Sequence, residues 1–317
     1  MLAAMVRNSI PGTAPVSGAG NRKVRELRGR LLANEPMARH SSWRVGGAAD
    51  HLYIPADLDD LRDFLAQQEQ ATPLLWLGLG SNLLVRDGGF RGTVIKLAGV
   101  LNELQLQAPN QVTAGPGATC AKVARFAAEH GLGGAEFLAG IPGTMGGALA
   151  MNAGAQGGEI WGWVESADTL DRSGQLRVRR RDDLDVSYRH VALPADEWFI
   201  RARLQLQPVP ADQAGRRIRE LLARRAETQP TGEFSCGSVF RNPPGDYAGR
   251  LIERCGLKGK RCGAARISEK HANFIINEGG ASARDLENLI LVARERVRSE
   301  FNIELDPEVR IVGEQPQ

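Results

Sequence analysis

The chain has 317 residues, of which 42% are hydrophobic and 24% charged, and its formal net charge is +3. That composition is ordinary for a globular protein, and the length exceeds a single compact core, so two or three domains are expected. The weak charge, without a basic stripe interleaved with aromatics, excludes a nucleic-acid surface, and no apolar run is long enough to span a membrane.

Residues 1–21 read as a flexible tail, rich in Gly, Pro, Ser and Ala over 8–21, with too short an apolar start for a signal peptide. A first lobe is expected over 22–99. It opens with a basic helix at 23–32 and a strand at 51–54. A helix capped by Asp57 then runs to 67, with Leu58, Leu61, Phe64 and Leu65 at helical spacing. A buried strand at 74–77 runs into Gly78-Leu79-Gly80-Ser81-Asn82, and a strand returns at 93–97.

A second lobe is expected over 100–210. It holds a strand at 104–107 and a helix at 123–130 ended by Gly131 in the left-handed position. A dense glycine cluster occupies 131–158, then come strands at 163–171, 175–180 and 197–207. A third region, 211–317, starts with a helix at 216–225. Ser282 and Asp285 form a capping box before Leu286, Leu289, Ile290, Ala293, Val297 and Phe301, and a strand at 303–312 is broken by Pro307. Strands and helices mix without regular alternation, which predicts an α+β fold.

Four cysteines at 120, 236, 255 and 262 form no Cys-x-x-Cys pair and have no histidine at zinc spacing. Reduced cytoplasmic thiols and no metal site are expected, with Cys236 read as a small buried hydrophobe. Gly78–Asn82 lacks the third glycine and the succeeding helix of a dinucleotide fingerprint. Gly140-Ile141-Pro142-Gly143-Thr144-Met145-Gly146-Gly147 lets successive N–H groups converge, the ingredients of a pyrophosphate nest. Either loop alone could serve only close packing; two in adjacent lobes point to one long diphosphate-bearing cofactor between them, with Trp43–Gly47 as a third wall.

Ser42-Trp43-Arg44-Val45-Gly46-Gly47, the loop at 77–83, Ala139–Thr144 and Met151-Asn152-Ala153-Gly154-Ala155 resemble the FAD domain of the UDP-N-acetylenolpyruvoylglucosamine reductase family. Ser187-Tyr188-Arg189, Gly237-Ser238-Val239-Phe240, Ser268-Glu269-Lys270-His271-Ala272-Asn273 and Pro307-Glu308-Val309-Arg310 resemble the rest of that enzyme, in order, from about residue 23 to 313. The short interval between Arg189 and Ser238 resembles the family type without an inserted tyrosine loop. Ser235-Cys236 departs from the family's usual Asn-Ala.

The resemblance implies a two-lobed FAD-binding domain of the PCMH flavoprotein type with a C-terminal α+β substrate-binding domain. It further implies a cytoplasmic, monomeric enzyme of peptidoglycan precursor synthesis. NADPH would reduce non-covalent FAD, which would then reduce UDP-GlcNAc-enolpyruvate. Catalytic roles fall on Arg189, Ser238 and Glu308, with Arg189 clamping the substrate carboxylate and Ser238 giving the proton. Cofactor contacts fall on Val45, Gly46, Gly47, Gly78, Gly80, Ser81, Asn82, Gly140, Ile141, Gly143, Thr144, Gly147, Asn152 and Arg310. Substrate contacts fall on Tyr188, Arg225, Asn242 and His271. From the residues alone, Arg189 could be a surface arginine and Glu308 a surface partner of Arg310. An FAD-linked oxidase and a non-catalytic nucleotide-binding protein are the rival readings. The first lacks a histidine for flavin attachment, and intact Arg189, Ser238 and Glu308 count against the second.

Overall fold

Asp57 sets the first helix: its side chain accepts the Asp60 N–H, and Leu58–Gln67 then buries Leu61, Phe64 and Leu65 against Tyr53 and Ile95. The sheet under that helix is mixed. Arg30–Pro36 pairs antiparallel with Ala48–Ile54, which runs parallel to Phe90–Lys96, and Leu74–Leu77 lies parallel on the far side. The computed structural model describes residues 26–210 and 212–316, so the expected tail over 1–21 lies outside the described residues. Of the helix expected at 23–32, the described residues 26–32 form no helix, and Arg30–Leu32 belong to the strand Arg30–Pro36. Its basic periodicity yields to pairing with 48–54 and to the close approach of Gly29 to Tyr53, where a Cβ would lie 2.5 Å from the hydroxyl.

The second lobe is a five-stranded antiparallel sheet in the order Leu176–Arg180, Val164–Asp171, Glu197–Gln205, Gln111–Ala114, Leu104–Ala108. The helix Cys120–Glu129 covers its inner face with Val123, Ala124 and Ala127, and Gly131 ends it at φ +67°. The helix Gln213–Thr228 sends Ile218 into this same core, although it lies beyond the boundary expected at 211.

The third core holds the helices Ala248–Arg254 and Ala283–Phe301 over a small sheet of Arg261–Cys262, Ala265–Ile267 and Ile275–Asn277. Ser282 and Asp285 form the reciprocal capping box, and Leu286, Leu289, Ile290, Ala293 and Val297 are buried along one face. Trp43 of the first lobe enters this core and donates its indole N–H to the Ile275 carbonyl at 2.7 Å. The strand expected at 303–312 shrinks to Arg310–Val312 and pairs in parallel with Leu83–Val85. Phe240 and Pro307 form only an isolated bridge before it. The result is an α+β fold whose C-terminal end closes back on the first lobe. Among the described residues no helix is long and apolar enough to cross a membrane.

Candidate active site

The two glycine loops face each other. A Cβ on Gly78 would lie 2.4 Å from Thr144 Oγ1, and one on Gly143 would lie 3.8 Å from Ser81 Oγ. Gly78 therefore keeps a side chain out of the seam between the lobes. Gly78, Gly80, Ser81, Asn82, Gly140, Ile141, Gly143, Thr144, Gly147 and Arg310 all line one cleft of about 330 Å³. A wider cleft of about 870 Å³ shares Gly78, Leu79, Pro142 and Arg225 with it, so the two open into one another. Among the described residues, the N–H groups of Leu79, Gly80, Ser81 and Asn82 have no protein acceptor. Backbone donors in that state need an anion or water, and a diphosphate-bearing cofactor such as FAD fits the cradle.

Four of the expected cofactor contacts lie elsewhere. Val45 is buried in the third core, away from both clefts. A Cβ on Gly46 would lie 2.9 Å from the Val85 carbonyl, and one on Gly47 would lie 2.3 Å from that of Asp87. Gly47 also donates to the Arg86 carbonyl and accepts from the Met37 N–H, so this loop packs on protein backbone. Asn152 is buried: its amide donates to Glu159 and to the Ser187 carbonyl, and its oxygen accepts the Trp161 N–H. It holds the hairpin that carries Arg189. Asn82 lines the cleft, but its amide donates to the Glu308 carbonyl at 3.0 Å and to Met151 Sδ, tying the loop to the chain at Glu308.

Arg189, Ser238 and Glu308 come from three distant segments and line the same 330 Å³ cleft. Asp185–Ser187 and His190–Ala192 pair through Ser187 and His190, leaving Tyr188 and Arg189 as a two-residue loop. Of these two, only Arg189 has positive φ, at +55°, in the place a type II turn gives to glycine. The side chain donates to the Gly154 carbonyl at 2.6 Å, and its Nε lies 3.3 Å from Glu308 Oε1. Glu308 thus faces Arg189 rather than Arg310. Burial raises its pKa above the usual carboxylate value, against the opposing pull of Arg189 and Arg241.

Backbone bonds place Ser238. The Val239 N–H donates to the Asn273 carbonyl, the Val239 carbonyl accepts from the Glu308 N–H at 2.8 Å, and the Asn273 side chain brackets Phe240. Ser238 and Glu308 are therefore held one residue apart across Val239. Ser238 also lines a second groove of about 330 Å³ with Asn242 and His271. The Asn242 oxygen accepts the Ala248 N–H, leaving its amide for the groove. His271 Nδ1 accepts the Asn273 N–H at 3.2 Å, and burial lowers the pKa of its ring. The ring proton then sits on Nε2. Arg225 lies away from that groove, on the wall shared by the wider cleft and the glycine-loop cleft, where burial lowers its pKa and Gln229 is the only hydrogen-bond partner of its side chain among the described residues. Tyr188 is exposed and stacks beside the Arg189 guanidinium at 5.3 Å.

Sequence reasoning missed His40 and Lys96, both on the wider cleft; Arg44, within the segment expected as a third wall, lines it as well. A lysine at the carboxyl end of a parallel strand beside a glycine loop was the available signal for Lys96. All four cysteines are free. Burial pushes the Cys236 thiol up to about 12, consistent with a small buried hydrophobe.

Residues 49–179 match the FAD binding domain family, and residues 229–312 match the UDP-N-acetylenolpyruvoylglucosamine reductase C-terminal domain family. The UDP-N-acetylenolpyruvoylglucosamine reductase of Legionella pneumophila (strain Corby) is 54% identical over 94% of this chain and 97% of its own length. That of Methylococcus capsulatus is 55% identical over 90% of this chain and 94% of its own. The crystal structure of the Thermus caldophilus enzyme is 35% identical, covers 90% of this chain and 98% of its own, and superposes with a TM-score of 0.77. On this likeness along nearly its whole length, the chain belongs to the UDP-N-acetylenolpyruvoylglucosamine reductase family of FAD-dependent oxidoreductases.

Proposed function

We propose that the chain reduces the enolpyruvyl double bond of UDP-GlcNAc-enolpyruvate to UDP-N-acetylmuramate, with NADPH as electron source. The observation that carries this reading is the convergence of Arg189, Ser238 and Glu308 on the cleft lined by both glycine loops. Bound FAD, held by the glycine loops at Gly78–Asn82 and Gly140–Gly147, would supply the redox chemistry that carries a hydride from NADPH to the terminal enolpyruvyl carbon. The protein's own side chains manage the charge and the proton on the substrate. Hydride addition puts negative charge on the neighbouring carbon and its carboxylate. Arg189 clamps that carboxylate with a planar fork of N–H donors. Glu308, buried beside Arg189, orients the guanidinium and contributes a carboxyl group whose neutral form is favoured by its surroundings.

Ser238 gives its hydroxyl proton to the basic carbon. A hydroxyl is a weak acid, so the step relies on a strongly basic acceptor and on the nearby cations, and water reloads the serine. Because Ser238 lies on both cavities, the nucleotide end of the substrate can occupy the groove of Asn242 and His271 while the enolpyruvyl end faces the cleft. The His271 Nε2–H and the Asn242 amide are donors suited to diphosphate oxygens.

Rapid mixing of the two half-reactions tests this. Ser238→Ala is expected to keep bound FAD and its reduction by NADPH within about twofold, while reoxidation by the enolpyruvyl substrate slows about 10²–10⁴-fold. Reoxidation at the wild-type rate would remove Ser238 from the proton transfer.

A further inference from the structure

The wider cleft carries a cation that the glycine loops do not account for. Lys96 ends the strand Phe90–Lys96 in register with Leu77, the residue before Gly78. Its ammonium lies 3.3 Å from His40 Nδ1, and His40 Nε2 lies 2.9 Å from Glu35 Oε1. An ammonium can only donate, so Nδ1 accepts from it. The ring proton therefore sits on Nε2 and is donated to Glu35. Glu35 itself is engaged by His40 and Arg39, and among the described residues Lys96 has no carboxylate partner. The side chains of His40 and Glu35 are only 10% and 13% exposed, which holds the ring in one orientation.

The same group is bound to the loop from the other side. A Cβ on Gly80 would sit 1.9 Å from the His40 carbonyl, so the backbone of His40 packs directly on the turn whose N–H groups lack acceptors. Lys96, His40, Gly78 and Leu79 all line the 870 Å³ cleft. An ammonium without a carboxylate partner, on a cleft that Leu79 shares with the one lined by Gly80, Ser81 and Asn82, calls for a ligand with several anionic oxygens.

We propose that Lys96, oriented by the His40–Glu35 pair, binds the diphosphate of FAD in this cleft, an assignment that rests on the family's use of FAD. Titration of apoprotein with FAD and with riboflavin, monitored by flavin fluorescence, tests it. Riboflavin carries the ring but no phosphate. Lys96→Met is expected to weaken FAD binding at least about tenfold, to leave riboflavin binding within about twofold, and to flatten the salt dependence of the FAD titration. Lys96→Arg is expected to recover most of the loss, and Glu35→Gln to show a smaller loss of the same kind. Apoprotein melting curves check that each variant is folded. An FAD affinity within twofold of wild type, or an equal loss for riboflavin, overturns the assignment. Unchanged FAD affinity with weakened NADPH binding moves Lys96 to the other nucleotide and overturns it as well. A wild-type protein that takes up no FAD overturns the cofactor reading itself.

Discussion

Two glycine loops of the first lobe look alike as sequence and differ in what their backbones do. At Gly46–Gly47 the chain presses on Val85 and Asp87, and Gly47 has both its N–H and its carbonyl bonded within the protein. At Gly78–Asn82 the chain opens onto a cleft, and four successive N–H groups find no protein acceptor among the described residues. Glycine permits close approach in both places. Only an account of each loop's hydrogen bonds separates a loop that holds the fold from one that holds a ligand.

The sharpest way to extend that contrast is Arg189, a functional side chain on a backbone suited to glycine. Arg189→Gly is expected to lower kcat/KM about 10²–10³-fold, as when an oxyanion donor is removed, while relieving about 1 kcal/mol of left-handed strain. Steady-state kinetics beside thermal melting reads both, and a variant that loses stability would assign Arg189 a structural role. The packing loop responds in the opposite sense. Gly47→Ala is expected to cost about 1–3 kcal/mol of stability by overpacking against the Asp87 carbonyl, with FAD affinity of the folded protein unchanged. A lowered affinity without destabilisation would show that Gly46–Gly47 reaches the cofactor.

In the open loop, Gly78→Ala drives a methyl into the Thr144 hydroxyl at the seam of the cleft. FAD affinity is expected to fall about tenfold with a smaller loss of stability than at Gly47, measured by the same titration and melting pair. The smallest effect concerns pH. The folded-state pKa of Glu308 is raised, so its contribution to stability is complete below the unfolded value of about 4.5 and is lost as pH rises through the folded value. Glu308→Gln is expected to flatten that limb of the stability–pH curve. An unaltered curve would mean that Glu308 titrates normally.

Much of the architecture was legible because it is local. Asp57 and Ser282 cap the helices they precede, Gly131 ends its helix in the left-handed region, and the apolar face from Leu286 to Val297 is buried. The extended run after Asn82, which argues against a dinucleotide fingerprint, is the strand Leu83–Val85. In the described part of the helix expected at 23–32, pairing of Arg30–Pro36 with Ala48–Ile54 outweighs helical spacing of charges. Val45, Gly46, Gly47 and Asn152, expected at the cofactor, line neither cleft for a related reason. A motif marks residues that must be what they are, without saying whether ligand or protein makes the demand. Asn152 is required because a buried amide must satisfy Glu159, Ser187 and Trp161 at once.

The sequence by itself determined the capped helices, the two glycine turns and the family, since each depends on residues close together or on motifs in a recognisable order. Only the tertiary structure decided which groups meet. The pairing of Glu308 with Arg189, the tie from Asn82 to Glu308 and the Glu35–His40–Lys96 chain each join residues from separate segments. Contacts of that kind arise from how sheets register and loops close on one another. Parallel pairing of Arg310–Val312 with Leu83–Val85, far apart in the chain, draws the last strand under the glycine loop and so puts Glu308 into the cleft.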